Sequence, residues 1–488
     1  MRRAAAILAL AASACSTMEP KYARPDPAIP ASWPVGDPYL AQAEIGLPVV
    51  TYSQVFQDPR LQTLITEALA NNRDLMIAAA NIAAAREQYH IQRAQLLPTV
   101  NAGAGVTVSG DRSNGVNANY NAGVQVPSFE LDLFGRVRSL THVQLERYLA
   151  TEAGARATRL VLVANVAAAW LDYAADSSLR LIAEQTAASA QKSVQLTRMR
   201  LEGGIAPRTD LDQAEQILAS AQADFARQRT AVAQDVNALQ LLVGAPIDAR
   251  LLAGSIDEAF GKIAPVPSGL DSYVLLRRPD VLQAEYQLRA ANAQIGAARA
   301  ALFPRITLTG LLGFASSALL KLFTGGAFGW SAGADASYTI FQSGAGHANV
   351  RLSEAQRNAA VAIYQRAIQS AFRDVADALA RRGTINDEIA AVQRNQAAAA
   401  DNYTLTEARY RAGIDPFLTV LVAQRSYYSA QQQMVLTKLT AAQNLVTTYQ
   451  SIGGDAFLQA TPVCQPLPGD RSAAATSALC TPTLAPRP

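Results

Sequence analysis

Asp74–Pro98 reads DLMIAAANIAAAREQYHIQRAQLLP and Asp280–Pro304 reads DVLQAEYQLRAANAQIGAARAALFP, at a separation of 206 residues (280 − 74 and 304 − 98). Arg200–Pro207 (RLEGGIAP) and Arg409–Pro416 (RYRAGIDP) match in the same way at a separation of 209 (409 − 200 and 416 − 207). Because the two separations differ by only three residues (209 − 206), the sequence predicts two copies of one structural unit.

The duplication and the clusters of Gly, Pro and Asp around it predict how the chain is divided. The predicted segments are a signal peptide at 1–14, an N-terminal tether at 15–55, repeat 1 at 56–244 with a β-hairpin at 99–130, a joint or equatorial segment at 245–269, repeat 2 at 270–457 with a β-hairpin at 305–341, and a Pro/Ala-rich C-terminal tail at 458–488.

Long helices are predicted on both sides of each hairpin. Helical stretches near 59–97 and 278–303 end at Pro98 and Pro304, because proline cannot continue a helix. The proline-free segments are 136–202 and 345–412, and the returning helices are 208–243 and 417–452. At about 1.5 Å per residue, each proline-free helix would be about 100 Å long.

In the predicted hairpins, apolar residues recur at every second position instead of with the helical spacing of three or four. Apolar Val100, Ala102, Ala104, Val106 and Val108 alternate with polar residues and glycine, and the same pattern recurs around Tyr120 and from Phe328 to Ile340. A soluble, half-buried sheet would give the same alternation. Strands of ten or more residues instead suit a tilted bilayer crossing, with Tyr120, Trp330 and Tyr338 suited to interfacial belts.

The composition excludes several other classes of protein. The chain is alanine-rich with only 7% aromatic residues, which favours thin, closely packed helices over the thick core of an ordinary enzyme. A net charge of +3 without a basic run gives no footprint for nucleic acid. His90, His142 and His347 share no ligand spacing, so no metal site and no cofactor are predicted.

Four strands per chain cannot form a closed wall in lipid, because the edge groups of an open sheet would be unpaired. Three chains would supply twelve strands and enclose a polar lumen. The predicted fold class is therefore α plus membrane β: a duplicated strand-hairpin and long-helix unit in a trimeric, 12-stranded β-barrel. An α-helical coiled-coil tunnel continues that barrel.

The N-terminus resembles a secretory signal. A charged start, Met1–Arg3, precedes a short apolar run that ends at Cys15. Cys15 has two interpretations, an ordinary cysteine near a cleavage site or the lipid anchor of a bacterial lipoprotein carrying palmitate. The stretch Ala12-Ser13-Ala14-Cys15 resembles a lipobox with Ala12 in place of the usual Leu, and we predict lipidation.

Two more cysteines lie in the C-terminal tail. Cys464 and Cys480 of an exported protein are predicted to form a disulfide that closes a short loop. The alternative is a disordered tail with two free thiols.

Five motifs carry a family resemblance: Phe129–Arg138 (FELDLFGRVR), Leu276–Asp280 (LRRPD), Asn292–Pro304 (NAQIGAARAALFP), Arg409–Gly413 (RYRAG) and Ala423–Ser426 (AQRS). The sequence resembles a TolC/OprM-type outer membrane factor. That resemblance implies a homotrimer with an outer-membrane β-barrel and a periplasmic helical tunnel in a Gram-negative cell. It also implies docking to a periplasmic adaptor protein and an inner-membrane transporter, often of the RND class.

The resemblance also implies an aperture near the inter-helix turns, formed by rings of Asp and hydrophobic residues. Leu418 and Arg425 match the aperture motif, whereas Val422 stands where the family usually has Asp. Candidates for the negative ring are Asp210, Asp212 and Asp415, although helix N-terminal carboxylates would have the same positions without gating. The turns at Gly203, Gly204 and Gly413 match adaptor-docking tips, and alternatively only cap their helices.

The predicted function is the outer membrane channel of a multidrug efflux system. The alternative is the exit duct for type I protein secretion. An enzyme and an adhesive protein are the rival classes. Gly329–Gly333 fits the pattern of an enzyme nucleophile, but it lies in a predicted strand rather than a strand-to-helix turn. An adhesive coiled-coil protein would not need amphipathic strands.

Overall fold

The computed structural model describes residues 17–27, 29–30, 33–34, 39, 51–111, 115–265 and 272–454. Its regular elements, in chain order, are α1 (Tyr52–Val55), α2 (Pro59–Asn71), α3 (Arg73–Ala94), β1 (Asn101–Asp111), β2 (Gly115–Glu130), α4 (Arg136–Glu202), α5 (Arg208–Val243), α6 (Ile256–Phe260), α7 (Pro279–Ala300), β3 (Arg305–Ser316), β4 (Phe328–Ser337), α8 (Ala345–Arg411) and α9 (Phe417–Ser451), with short 3₁₀ turns at Ala249–Leu251, Ser272–Arg277 and Leu319–Lys321. Cys15, Cys464 and Cys480 lie outside the described residues, so lipidation and the disulfide stay predictions.

The long helices confirm the duplicated helical pattern. Helices α4 and α8 contain 67 residues each, and the returning helices α5 and α9 contain 36 and 35. The predicted ends are correct to within one residue, because proline and glycine mark them in the sequence. Among the described residues, no helix combines the length and the apolar character needed to cross a membrane.

The first helical stretch, predicted as one helix, is two. Asn72 interrupts it with extended backbone between α2 and α3. The Asn72 carboxamide oxygen accepts from the backbone N–H groups of Asp74 and Leu75 at 2.9 and 3.1 Å, and its nitrogen donates to the Leu242 carbonyl at 2.8 Å. An asparagine that caps the next helix competes with helix continuation, which explains the break.

The four strands form one antiparallel sheet in the order β1-β2-β3-β4. Their register places apolar residues opposite apolar residues, as in the row Ala102, Val124, Leu312 and Trp330. Polar residues likewise oppose polar residues, as Asn101 opposes Gln125. One face of the sheet is therefore apolar and the other is mostly polar, as the alternation predicts. Leu311 and Ala315 of β3 are exceptions on the polar face, where they oppose Gln125 and Asn121.

Strand β4 is shorter than predicted. It ends at Ser337, so Tyr338 and Ile340 lie beyond the sheet. Ser337 pairs with Arg305, and the preceding residue, Pro304, has no N–H to continue the ladder.

The described residues fall into two compact units. The first takes in those within Met1–Pro27, Ala80–Glu152 and Leu282–Ala367, and the second those within Ala28–Ala79, Ala153–Val281 and Ile368–Pro488. The first unit holds the sheet, and a small buried cluster there contains Val143, Ala290 and Ala293.

The second unit has larger core residues. One buried cluster joins the ends of the four long helices and contains Val194, Ala214, Tyr410, Phe417, Val420 and Leu421. Elsewhere in this unit, the Trp170 ring is fully buried and its indole N–H donates to the Leu251 carbonyl at 3.0 Å. Alanines fill many of the remaining buried positions, which keeps the helices close together.

Candidate functional site

The polar face of the sheet contains a row of glycines that crosses all four strands. Gly103 opposes Gly123, Gly123 opposes Gly313, and Gly313 opposes Gly329. The central pair is in close backbone contact: a Cβ on Gly123 would lie 2.6 Å from the Leu312 carbonyl oxygen. The outer glycines, Gly103 and Gly329, have nothing within 4 Å of that position.

The glycine row lies in an open depression on the polar face, next to polar side chains. Thr107, Ser109, Asn119, Asn121 and Gln125 line one depression together with the glycines. Side chains that hydrogen-bond with water suit the wall of an aqueous conduit.

The opposite face of the sheet exposes large apolar side chains. Trp330 is 73% exposed and pairs with Leu312, which is also exposed. Past the end of β4, Tyr338, Ile340 and Phe341 are exposed as well. A contiguous apolar surface of this kind fits lipid, with aromatic residues near its boundary.

The two predicted docking turns have the same backbone structure. Gly204 and Gly413 have φ angles of +72° and +75°. The N–H of Ile205 donates to the Arg200 carbonyl, and the N–H of Ile414 to the Arg409 carbonyl, both at 2.9 Å. These bonds close each helix with a Schellman-type cap, for which glycine is the favoured residue.

Neither left-handed glycine is packed against another side chain. A Cβ on Gly204 or Gly413 would meet nothing within 4 Å, and one on Gly203 would be 3.4 Å from the Met199 carbonyl oxygen. The backbone conformation, rather than crowding, therefore accounts for both left-handed glycines.

Three of the aperture candidates form a row on α9. Leu418, Val422 and Arg425 follow one another at helical spacings of four and three residues, so they share a face. Leu418 and Val422 are each 56% exposed, whereas Val420 and Leu421 are buried on the other side of the helix.

The acidic candidates have different surroundings. Asp415 accepts two hydrogen bonds from Arg409, and this neighbouring guanidinium lowers the pKa of the Asp415 carboxyl. Asp212 lies 4.0 Å from Arg208, one helical turn earlier in α5. Asp210 lies in the first turn of α5, where the helix dipole favours a carboxylate.

A cluster of carboxyl groups in the second unit is not among the sites that the sequence predicts. Burial, followed by repulsion from Asp176 and Asp172, raises the pKa of Asp235 to about 7. The Gln443 side chain donates to Asp172 at 2.7 Å. These groups lie on different helices and have no common motif, so no local sequence signal identifies them.

The packing of segment 17–27, part of the predicted tether at 15–55, is a second feature that the sequence does not indicate. Arg24 and Arg289 each bind Glu285 at 2.6 Å, and the Glu285 side chain is only 2% exposed. His142 lies 2.8 Å from Glu19 and 3.1 Å from Glu146. These ion pairs fasten the segment to α4 and α7 within the first unit.

No group of three His, Cys, Asp or Glu side chains in the described ranges is arranged to hold a metal ion. His142 is paired with carboxylates, and Gly329–Gly333 lies within β4, away from any strand-to-helix turn. The described geometry offers surfaces, turns and a polar face, which suit conduction and docking.

Comparison with known proteins gives a consistent result. The chain matches the outer membrane efflux protein family over residues 64–245 and again over 271–454. It is 40% identical over 463 residues to the toluene efflux pump outer membrane protein TtgC of Pseudomonas putida, covering 93% of this chain and 95% of TtgC. It is 38% identical over 460 residues to the outer membrane protein OprJ of Pseudomonas aeruginosa, covering 92% and 95%.

A solved structure supports the same relationship. The open state of the MtrE outer membrane channel of Neisseria gonorrhoeae superimposes with a TM-score of 0.82 at 35% identity. This match covers 90% of the chain and 98% of MtrE.

Proposed function

Because the chain belongs to the outer membrane efflux protein family, we propose that it is the outer membrane channel of a tripartite efflux system. It passively conducts drugs or other toxic small molecules from an inner-membrane pump and a periplasmic adaptor to the exterior. The observation that carries this function is the strand register, which places most polar side chains of the four strands on one face and most large apolar ones on the other.

A homotrimer is the proposed assembly. In the described part of the chain, β1 pairs with β2 alone and β4 with β3 alone. Each copy therefore offers two sheet edges that another copy can satisfy in lipid. Three copies supply twelve strands, enough for a barrel with a water-filled interior.

The α9 row is the proposed aperture. Leu418 and Val422 present apolar side chains away from their own core, and Arg425 follows on the same face. Symmetry would triple each of these groups around a central axis. Asp210 and Asp212, which follow the first turn in the sequence, supply carboxylates. The charge of Asp415 is neutralised by its ion pair with Arg409.

The helical turns are the proposed adaptor-docking tips. Ile205 and Ile414 are both exposed beside the left-handed glycines. Exposed apolar side chains next to a bare backbone allow a partner helix to approach closely. Gly203, Gly204 and Gly413 are therefore assigned both to capping and to docking.

The proposed cargo is small organic compounds. The name of the TtgC relative specifies toluene, and a duct with a polar wall has no need to bind what it conducts. A type I secretion duct is the competing function, and it would carry unfolded protein instead.

The test uses a strain that lacks the gene, complemented by the wild type or by a Trp330→Asp variant. The wild type is expected to restore resistance to solvents and antibiotics and to give ohmic conductance in planar bilayers. Trp330→Asp puts a charge on the apolar face and is expected to lower membrane insertion and resistance together. Trp330→Phe is the matched control and retains both.

Two results would contradict the function. The first is restored resistance without any conductance by the purified trimer. The second is loss of type I protein secretion, with resistance unchanged, in the strain that lacks the gene.

A further inference from the structure

The loop between β3 and β4 carries an unusually exposed apolar turn, Leu319–Phe323 (LLKLF). Leu320 is 95% exposed, more than any other large hydrophobic residue that is described, and Phe323 is 73% exposed. Leu322, between these two residues, is buried. Such exposure is costly in water, so the turn needs an apolar partner.

Part of the backbone of this turn is hydrogen-bonded locally. The N–H of Lys321 donates to the Ala318 carbonyl at 3.0 Å, and the N–H of Leu322 donates to the Leu319 carbonyl at 3.1 Å. The Lys321 carbonyl accepts from both the backbone N–H and the hydroxyl of Thr324, at 3.2 and 2.8 Å. Each of these local hydrogen bonds lowers the free-energy cost of moving the backbone from water into the lipid interface.

The turn also continues the apolar face of the sheet. The Phe323 ring lies 5.5 Å from the Phe314 ring, in an edge-to-face arrangement. Phe314 pairs with Ala122 and Phe328 on the apolar face. The exposed turn is therefore an extension of that face rather than of the polar face.

The chain topology places the turn away from the helices of its own unit. Helix α7 leads into β3 and helix α8 follows β4, so the loop joining the strands lies at their opposite end. In an outer membrane protein with a periplasmic extension, that end faces the outer leaflet.

We propose that Leu319–Phe323 is a lipid anchor in the outer leaflet. Leu320 and Phe323 insert among acyl chains, and the exposed Lys321 ammonium binds lipid phosphate groups. This pattern, a short apolar surface with a cationic side chain, is the chemistry of interfacial membrane anchors. The anchor rests on the proposed function, because it requires the apolar sheet face to be in contact with lipid.

The test uses fluorescence quenching by brominated lipids in the reconstituted full-length trimer. Trp33 and Trp170 also fluoresce, so the signal of each reporter is its difference from the Trp330→Phe variant. The wild type then reports, through Trp330 on the apolar face, whether the sheet itself is in lipid, and Trp330→Phe/Leu320→Trp places a reporter on the turn. Trp330→Phe/Leu311→Trp is the matched control, because Leu311 pairs with Ser331 on the polar face.

Lipids brominated near the headgroup are expected to quench the tryptophan at position 320 as strongly as Trp330, and to leave the one at position 311 unquenched. Adding Lys321→Glu is expected to reduce the quenching at position 320 in anionic vesicles and to change it little in zwitterionic ones.

The failures of the anchor and of the proposed function are distinguishable. If Trp330 is quenched but the tryptophan at position 320 responds only to an aqueous quencher, the anchor is wrong and the turn lies over the channel mouth. If Trp330 is not quenched either, the lipid-facing assignment of the whole sheet is wrong.

Discussion

Arg409 donates from Nε and Nη2 to the two carboxylate oxygens of Asp415, at 2.6 and 2.8 Å, across the turn between α8 and α9. The equivalent arginine of the first turn is Arg200, and Ala206 stands where the second turn has Asp415 (415 − 209 = 206). Within the described part of the chain, Arg200 therefore has no carboxylate partner across its turn. Arg200 instead lies 4.5 Å from the centre of the Tyr410 ring. The two copies of the motif thus share a backbone and differ in charge pairing.

Replacing Asp415 with Asn is expected to make the tunnel tip more positive. Arg409 loses its carboxylate partner, so each chain gains one positive charge there. The reversal potential of the reconstituted channel in a salt gradient should shift toward anions, and Ala206→Asp should shift it toward cations. An unchanged reversal potential in both variants would place the turns outside the ion path.

The glycine row predicts a contrast between central and outer positions. Gly313→Ala is expected to lower stability by roughly 1–3 kcal/mol, because its Cβ would lie 2.6 Å from the Ala122 carbonyl oxygen. Gly329→Ala, with nothing within 4 Å, should be tolerated. Thermal unfolding in detergent measures both, and equal melting temperatures would contradict the close contact.

The pH dependence of stability should include a contribution from His142. Hydrogen bonds with Glu146 and Glu19 raise the pKa of His142 to about 10 from 6.5. Because the folded state binds the proton more tightly, this stabilisation is complete below pH about 6.5 and is lost as the pH rises through about 10. As the pH rises from about 6.5 to about 10, the melting temperature of His142→Gln should fall by less than that of the wild type. Solvent at the partly exposed ring reduces the difference without changing its sign.

Asp235 should have a related effect at lower pH. Burial and two neighbouring carboxylates raise its pKa from 3.8 to about 7, so its stabilisation is present below pH about 4 and is lost as the pH rises through about 7. Asp235→Asn removes the buried charge and is expected to stabilise the protein at pH 8 by about 2 kcal/mol.

A matched control for this variant is Asp224→Asn. Asp224 accepts from Tyr428 and from Arg227, so its replacement should destabilise. Urea unfolding at pH 4 and pH 8 compares the two. A loss of stability at pH 8 in Asp235→Asn would overturn the assignment of a repulsive cluster.

Substitutions at the turn glycines, Gly203, Gly204 and Gly413, should distinguish a role in helix capping from a role in adaptor docking. Gly204→Ala and Gly413→Ala are expected to cost about 1–2 kcal/mol each, because alanine is strained at positive φ. Gly203→Ala should leave stability unchanged, since its Cβ would make an ordinary contact. Reduced adaptor binding by Gly203→Ala, measured in a pull-down with the folded trimer, supports docking at the tip; normal binding argues against it.

The helices were predictable because proline and glycine mark their ends. Pro207 and Pro416 precede α5 and α9, and Gly204 and Gly413 follow α4 and α8. The faces of β1, β2 and β4 were predictable because polar and apolar residues alternate along each strand, whereas Gly310–Ser316 of β3 does not alternate in this way. The break at Asn72 was not, because asparagine also occurs inside helices.

Contacts between distant residues carried no local signal. Glu285 binds Arg24 across 261 positions, and nothing in either segment specifies the other. The glycine row was hidden for the same reason. Each glycine was visible in its strand, but only the inter-strand register places Gly103, Gly123, Gly313 and Gly329 in line.

That line runs perpendicular to the strands, and the strands of a closed barrel are tilted by about 35–45° from its axis. In the proposed trimer the glycines of each chain would therefore form one groove that runs obliquely to the barrel axis, giving three such grooves around the lumen. At any one level along the barrel axis, residues other than glycine still project side chains into the lumen. Along each groove, by contrast, the backbone is continuously free of side chains. A bulky compound would thus find extra clearance along a spiral instead of at a ring.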